Sequence, residues 1–325
     1  MKITILGTGI YGIAIALELA KKKNNHIILW TENKSLVEEF KNTKKIASII
    51  DTEIPKNIKL TASYEEALDK TKLIFIASAS KYVDQICHDI KPIYNNDIPI
   101  CIATKGFEET TQQLLSEVID NILFPKNIAV ISGPTFAIDM INNNPVAFAL
   151  GSTSRKTKNL IIKVLANETL KLRPTKDIIG IQLCGAIKNC IAIAAGILKG
   201  LGYTESTQAF LINESIHDLK EIIYYLGGNP KTILSFAGIG DLTMTCSSSK
   251  SRNFTFGYII GSTNNQNKIK EYLMNNTVEG FYTIEVIYRL LQKKGIDVPL
   301  INTIYDIIYN EIDPQNLATL LIEKQ

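Results

Sequence analysis

Through the first half of the chain, short apolar runs alternate with longer stretches whose apolar residues recur at helical spacing. Lys2–Leu6 is the first run, closed by Gly7, and Ile13, Ala16, Leu17 and Ala20 then share one face of a helix pattern. His26–Trp30, Leu73–Ala77, Ile100–Ala103, Ile128–Ile131, Val146–Leu150 and Leu170–Leu172 read as further strands. Helix-compatible stretches lie between most of them: Leu36–Phe40, Tyr64–Leu68, Tyr82–Ile90, Leu114–Ile122 and Leu160–Leu165. Alternation at this pitch predicts βαβ units and a mostly parallel sheet. Such a sheet is buried on both faces, so its strands are continuous apolar runs.

The pattern changes near Arg173–Gly180. Beyond it strand runs become scarce, and Ile187–Leu198, Ala209–Leu226, Val286–Leu291 and Ile301–Tyr309 carry helical spacing. Gly227-Gly228-Asn229-Pro230 is a helix stop. The expectation is an α/β domain over residues 1–175 and an all-α domain over residues 176–325. Asn24-Asn25, Asn142–Asn144 and Asn264–Asn267 read as surface loops.

Composition narrows the function classes. Of 325 residues, 46% are hydrophobic and 21% charged, which excludes a disordered chain. The net charge of +3 is spread along the sequence and leaves no footprint for nucleic acid. Five cysteines form no CxxC pair and three histidines are scattered, which argues against a disulfide framework and against a metal site. The apolar stretch Cys190–Leu198 is shorter than the ~20 residues a bilayer span takes, and the N-terminus lacks the apolar region of a signal peptide. A cytoplasmic protein without membrane insertion is expected.

Gly7-Thr8-Gly9-Ile10-Tyr11-Gly12 fits GxGxxG directly after the first strand and at the opening of a helix, the context a dinucleotide fingerprint demands. Gly7 makes the tight turn, Gly9 lets a pyrophosphate approach the backbone, and Gly12 lets helix and strand pack closely. Glu32, just past the second strand and twenty positions beyond Gly12, can accept hydrogen bonds from ribose hydroxyls, which favours NADH over NADPH. Lys105, in Thr104-Lys105-Gly106, follows a strand where ligands bind and could meet a phosphate or stand as a solvated loop lysine. Ser132-Gly133-Pro134-Thr135-Phe136-Ala137 follows another, with Thr135 placed to cap the next helix.

The second half carries its own candidates. Gly185–Asn189 starts an unusually apolar helix in which Lys188 stands out. A lysine is rarely buried without a partner or a purpose, and burial lowers an ammonium's pKa, which suits acid/base work, although snorkelling to the surface is the plain alternative. Asp241 sits in a glycine-rich turn, Gly238-Ile239-Gly240-Asp241. Ser251-Arg252-Asn253 combines a hydroxyl, a guanidinium fork and an amide, a set that suits a phosphate. Val278-Glu279-Gly280 precedes a helical pattern.

Taken together, these motifs resemble the bacterial-type NAD(P)-dependent glycerol-3-phosphate dehydrogenase family over essentially the whole chain. The resemblance implies a Rossmann domain followed by a helical domain of the 6-phosphogluconate-dehydrogenase type. The activity it implies is the NAD(P)H-dependent interconversion of dihydroxyacetone phosphate and sn-glycerol 3-phosphate for phospholipid synthesis. It further implies Lys188 as general acid/base, with Asp241 holding the ammonium or a substrate hydroxyl. Lys105, Gly133, Thr135, Asp241, Ser251, Arg252 and Asn253 are implied as substrate contacts. Ile10, Tyr11, Lys105, Ala137, Arg252, Thr277 and Glu279 are implied beside the glycines as cofactor contacts. Two residues depart from the family pattern: Glu32 stands where many members have a basic or neutral residue, and Thr277 replaces a usual valine. The alternatives are a dehydrogenase of another small hydroxy acid and a silent dinucleotide sensor. The oligomeric state is left open, with a homodimer as one form.

Overall fold

The computed structural model describes residues 1–46, 49, 53–263 and 265–323. Two compact units are built from them. The first takes Met1–Glu108 and Leu114–Ile178, and the second takes Ile179–Gln325 together with Glu109–Gln113. The short excursion 109–113 therefore lies with the helical unit, although the sequence reading assigned it to the first domain.

The first unit is an eight-stranded sheet: β1 (Lys2–Leu6), β2 (His26–Trp30), β3 (Ile58–Thr61), β4 (Ile74–Ile76), β5 (Ile100–Ile102), β6 (Ile128–Ser132), β7 (Val146–Ser152) and β8 (Leu170–Thr175). Their order is β3-β2-β1-β4-β5-β6-β7-β8, and every neighbouring pair is parallel except β6–β7. Ile5 lies beside Leu29 on one side and Phe75 on the other, all three fully or almost fully buried. The chain winds outward from β1 in one direction through β2 and β3, then restarts at β4 on the other side. The carboxyl end of β1 is thus the topological switch point, where open parallel sheets bind ligands.

β3 was not foreseen, and the helix expected after Thr135 is the short Ala137–Ile141. Each is only four or five residues long, and Lys59 interrupts the apolar run of β3. The helix after β1 spans Ile10–Ala20, starting three residues earlier than the periodicity indicated.

The second unit is helical: Ile178–Gly200, Glu205–Tyr225, Asp241–Cys246, Arg252–Thr263, Gln266–Asn275, Glu279–Lys293, Pro299–Tyr309 and Asn316–Glu323. Its central helix runs 23 residues, well beyond the apolar stretch seen in the sequence, because Gly180 and Gly185 continue the helix rather than break it. By length and composition it could cross a membrane, but 89% of its apolar window is buried inside the protein, as in a core helix. Of the Asn264–Asn267 patch, Asn264 lies outside the described residues. Asn265 caps the helix Gln266–Asn275 rather than sitting in a loop, and its Oδ1 accepts from the N–H groups of Asn267 and Lys268.

Two pairs of glycines bring the central helix against Arg252–Thr263. A Cβ on Gly196 would lie 2.0 Å from the Phe254 carbonyl oxygen, and one on Gly257 would lie 1.9 Å from that of Ile193. Gly200 and Gly261 are equally tight, meeting the carbonyl oxygens of Tyr258 and Ile197 at 2.5 and 2.2 Å. The helices therefore touch main chain to main chain, about one turn after Arg252 and Asn253 on one helix and about two turns after Lys188 and Asn189 on the other.

Candidate active site

In the first unit, the fingerprint glycines hold a tight turn. Gly7 has φ +123°, and a Cβ there would meet the Ser78 nitrogen at 2.7 Å. A Cβ on Gly12 would sit 2.2 Å from the Gly7 carbonyl oxygen, so helix and turn close on each other only with glycine. Gly9 is different, because nothing lies within 4 Å of a Cβ placed there. That opening faces the N-terminus of Ile10–Ala20, whose first N–H groups and dipole favour an anion. Ile10, the first helical residue, is itself exposed.

A cavity of about 740 Å³ adjoins this turn and is lined by Gly7, Gly9, Trp30, Glu32, Tyr64 and Ser78 among others. Trp30 stacks on Tyr64 with ring centroids 4.1 Å apart. Burial, followed by the Asp89 carboxylate 3.4 Å from its hydroxyl, pushes the Tyr64 phenol above its ordinary value and keeps it neutral. Two polar atoms of the cavity wall, Trp30 Nε1 and Ser78 Oγ, are buried without a hydrogen-bond partner among the described residues. Glu32 is exposed at the rim. Open backbone at Gly9, two unspent polar atoms and a flat aromatic wall fit a dinucleotide.

Lys105 is half-buried, its Nζ 3.3 Å from the Gly133 carbonyl oxygen and 6.0 Å from the centre of the Tyr11 ring. Thr135 Oγ1 donates to the same carbonyl at 3.2 Å and lies 3.4 Å from the Tyr11 hydroxyl. Thr135 therefore does not cap the following helix as the sequence suggested. That helix, Ala137–Ile141, is capped by the backbone of Phe136, and Ala137 opens it half-buried. Gly133 packs so closely on β7 that a Cβ would fall 2.2 Å from the Ala147 carbonyl oxygen. Lys105, Gly133, Thr135 and Tyr11 thus form one cluster.

The second unit contains a buried charge pair. Lys188 is 5% exposed and Asp241 is fully buried. Lys188 Nζ donates to Asp241 Oδ1 at 2.6 Å and to Thr245 Oγ1 at 2.7 Å. Thr245 in turn donates to the Asp241 carbonyl oxygen at 2.6 Å. Asp241 begins the helix Asp241–Cys246, where a carboxylate suits the dipole, and the i,i+4 spacing puts Thr245 on the same face. Thr245 escaped the sequence reading; its place four residues after a candidate carboxylate was the available signal. Burial pushes the neighbouring Cys246 thiol up to about 12, with Lys188 opposing and Asp241 adding to the shift.

Beside this pair, Asn253 Nδ2 donates to Asn189 Oδ1 at 3.1 Å, and the Gly280 N–H donates to Asn253 Oδ1 at 2.8 Å. Ser251 Oγ accepts from the Phe254 N–H at 3.2 Å and caps the helix Arg252–Thr263, leaving its proton to donate. Arg252 is exposed, and among the described residues no carboxylate pairs with its guanidinium. Thr277 is exposed and Glu279 half-buried at the start of Glu279–Lys293. No group of three His, Cys, Asp or Glu capable of holding a metal occurs among the described residues.

Family models for the NAD-dependent glycerol-3-phosphate dehydrogenase N-terminus and C-terminus match residues 2–158 and 177–319. The chain belongs to the NAD-dependent glycerol-3-phosphate dehydrogenase family. It is 34% identical to glycerol-3-phosphate dehydrogenase (NAD(P)+) of Thermoanaerobacter sp. (strain X514), covering all of this chain and 97% of that one. It is 31% identical to the enzyme of the same name from Wolbachia sp. subsp. Brugia malayi, over 99% of this chain and all of the other. The crystal structure of glycerol-3-phosphate dehydrogenase from Coxiella burnetii superposes with a TM-score of 0.93 at 30% identity, covering 99% of each chain. Membership of the glycerol-3-phosphate dehydrogenase family makes this chain an NAD(P)-dependent oxidoreductase with the two-part fold described above.

Proposed function

We propose that the chain catalyses the reversible NAD(P)H-dependent reduction of dihydroxyacetone phosphate to sn-glycerol 3-phosphate, feeding glycerophospholipid synthesis. The observation that carries the reading is the buried Lys188–Asp241–Thr245 cluster in a chain of this family. A bound reduced nicotinamide supplies the hydride. As the ketone oxygen gains charge, Lys188 donates a hydrogen bond and then a proton to it. Asp241 and Thr245 hold the ammonium in one position. Arg252 clamps the phosphate through its fork, assisted by Ser251, Asn253 and the positive end of their helix, which turns remote binding energy into orientation. Lys105, Gly133 and Thr135 complete the substrate contacts.

The cofactor is held by Gly7, Gly9, Gly12 and the first-turn residues Ile10 and Tyr11, with Lys105, Ala137, Arg252, Thr277 and Glu279 as further contacts. Glu32 accepts from the adenosine ribose hydroxyls and opposes a 2′-phosphate, so NADH is the preferred reductant. Five free, buried cysteines accord with a reducing compartment, and the cytoplasm is the proposed location.

The test is oxidation of NADH and NADPH with dihydroxyacetone phosphate, run side by side in wild type and Glu32→Arg. The expected outcome is a higher kcat/KM for NADH in wild type and a shift toward NADPH in the variant. Absence of dihydroxyacetone phosphate reduction with either cofactor would reject the activity, and a clear wild-type preference for NADPH would reject the role of Glu32.

A further inference from the structure

One helix end in the second unit is capped from a distance. Val278, which precedes Glu279–Lys293, provides no side-chain cap for that helix. The Gly280 N–H donates instead to Oδ1 of Asn253, 27 residues earlier in the chain. A backbone N–H can only donate, so this bond decides which end of the Asn253 amide is oxygen. Nδ2 of Asn253 must then face Asn189, and it donates to Oδ1 there. What is left is Nδ2 of Asn189, a donor on a residue only 6% exposed, with no partner among the described residues. Read in the opposite sense, the same two amides would present an acceptor. Only glycine permits the arrangement, because a Cβ at 280 would lie 2.6 Å from the Asn189 carbonyl oxygen and 2.9 Å from Asn253 Oδ1.

We infer that Gly280 is a positioning residue: its N–H sets the polarity of the Asn253–Asn189 amide pair so that Asn189 meets a substrate oxygen with a donor. The inference rests on the substrate site proposed above. It also ties Glu279, next in the chain, to the substrate amides through a single hydrogen bond.

Asn253→Asp keeps the acceptor for Gly280 but cannot donate to Asn189. Its carboxylate draws Nδ2 of Asn189 to itself and turns Oδ1 outward. The expected result is a KM raised at least tenfold for both dihydroxyacetone phosphate and unphosphorylated dihydroxyacetone, with the KM for NADH within twofold of wild type. Repulsion between the new carboxylate and the phosphate would affect the phosphorylated substrate alone, and that outcome overturns the inference. Gly280→Ala, which adds no charge, is expected to raise the same two KM values. Because it can fail to fold, amide hydrogen exchange supplies an independent readout. The Gly280 amide should exchange as slowly in Asn253→Asp as in wild type and at least tenfold faster in Asn253→Ala. Equal exchange in Asn253→Ala and wild type would overturn the proposed polarity. A wild type inactive on dihydroxyacetone phosphate rejects the functional reading, while the exchange experiment still decides the relay.

Discussion

Replacing Lys188 with Met removes the ammonium and leaves the fully buried Asp241 carboxylate with Thr245 as its remaining neighbour from the cluster. Breaking a buried ion pair from one side costs about 3–5 kcal/mol. Asp241→Asn strands the ammonium instead and should cost a similar amount at pH 7. The double variant strands neither charge, so it should be at least 3 kcal/mol more stable than the sum of the single losses. Urea titration followed by far-UV circular dichroism measures all four proteins. Lys188→Met should also lose about 10²–10⁴ in kcat, the usual worth of a placed acid. A double variant destabilised by the plain sum of the single losses would refute the coupled pair.

Arg252→Lys keeps the charge but loses the fork, so steady-state kinetics should show a raised KM for dihydroxyacetone phosphate. Arg252→Ala should damage the phosphorylated substrate far more than dihydroxyacetone, and equal damage to both would remove Arg252 from the phosphate. The chain has one tryptophan, Trp30, and it lines the dinucleotide cavity, so titration with NADH should change its fluorescence saturably. An unaltered emission spectrum would place the adenosine elsewhere. Burial raises the thiols of Cys87 and Cys246 from 9.0 to about 12. Below pH 9 these thiols are protonated in both states and their contribution is complete. Between pH 9 and 12 the unfolded chain releases protons that the folded chain keeps, so each thiol lowers stability by up to about 1.4 kcal/mol per pH unit. Urea midpoints for wild type and Cys87→Ala should diverge below pH 9 only by a constant, and converge above it.

Features that announce themselves locally were legible in the sequence. The strands of the sheet are apolar runs because both faces are covered, and Ile100–Ile102 or His26–Trp30 needs no tertiary information to be recognised. Lys188 drew attention because it interrupts an apolar helix, and the structure supplies its partner 53 residues away. What stayed hidden depends on contacts. The helix Arg252–Thr263 was missed because Gly257 and Gly261 look like breakers, yet they are glycines so that a second backbone can approach. Spaced four apart, and matched by Gly196 and Gly200, they carry a small-residue signature of close helix crossing that could have been read. Thr135 was misread as a cap because its neighbours form a turn, and nothing local says that the Gly133 carbonyl is the better acceptor.

The glycine crossing has a consequence for how the chain can evolve. Two helices that meet through their peptide groups keep their spacing whatever happens to the side chains around them. Leucine may become isoleucine elsewhere in the helical unit, and the layers may repack, without altering the distance from Asn189 to Asn253. A lineage rich in lysine, asparagine and isoleucine can thus drift to a third identity with its relatives while four small residues hold the reacting groups to one gauge.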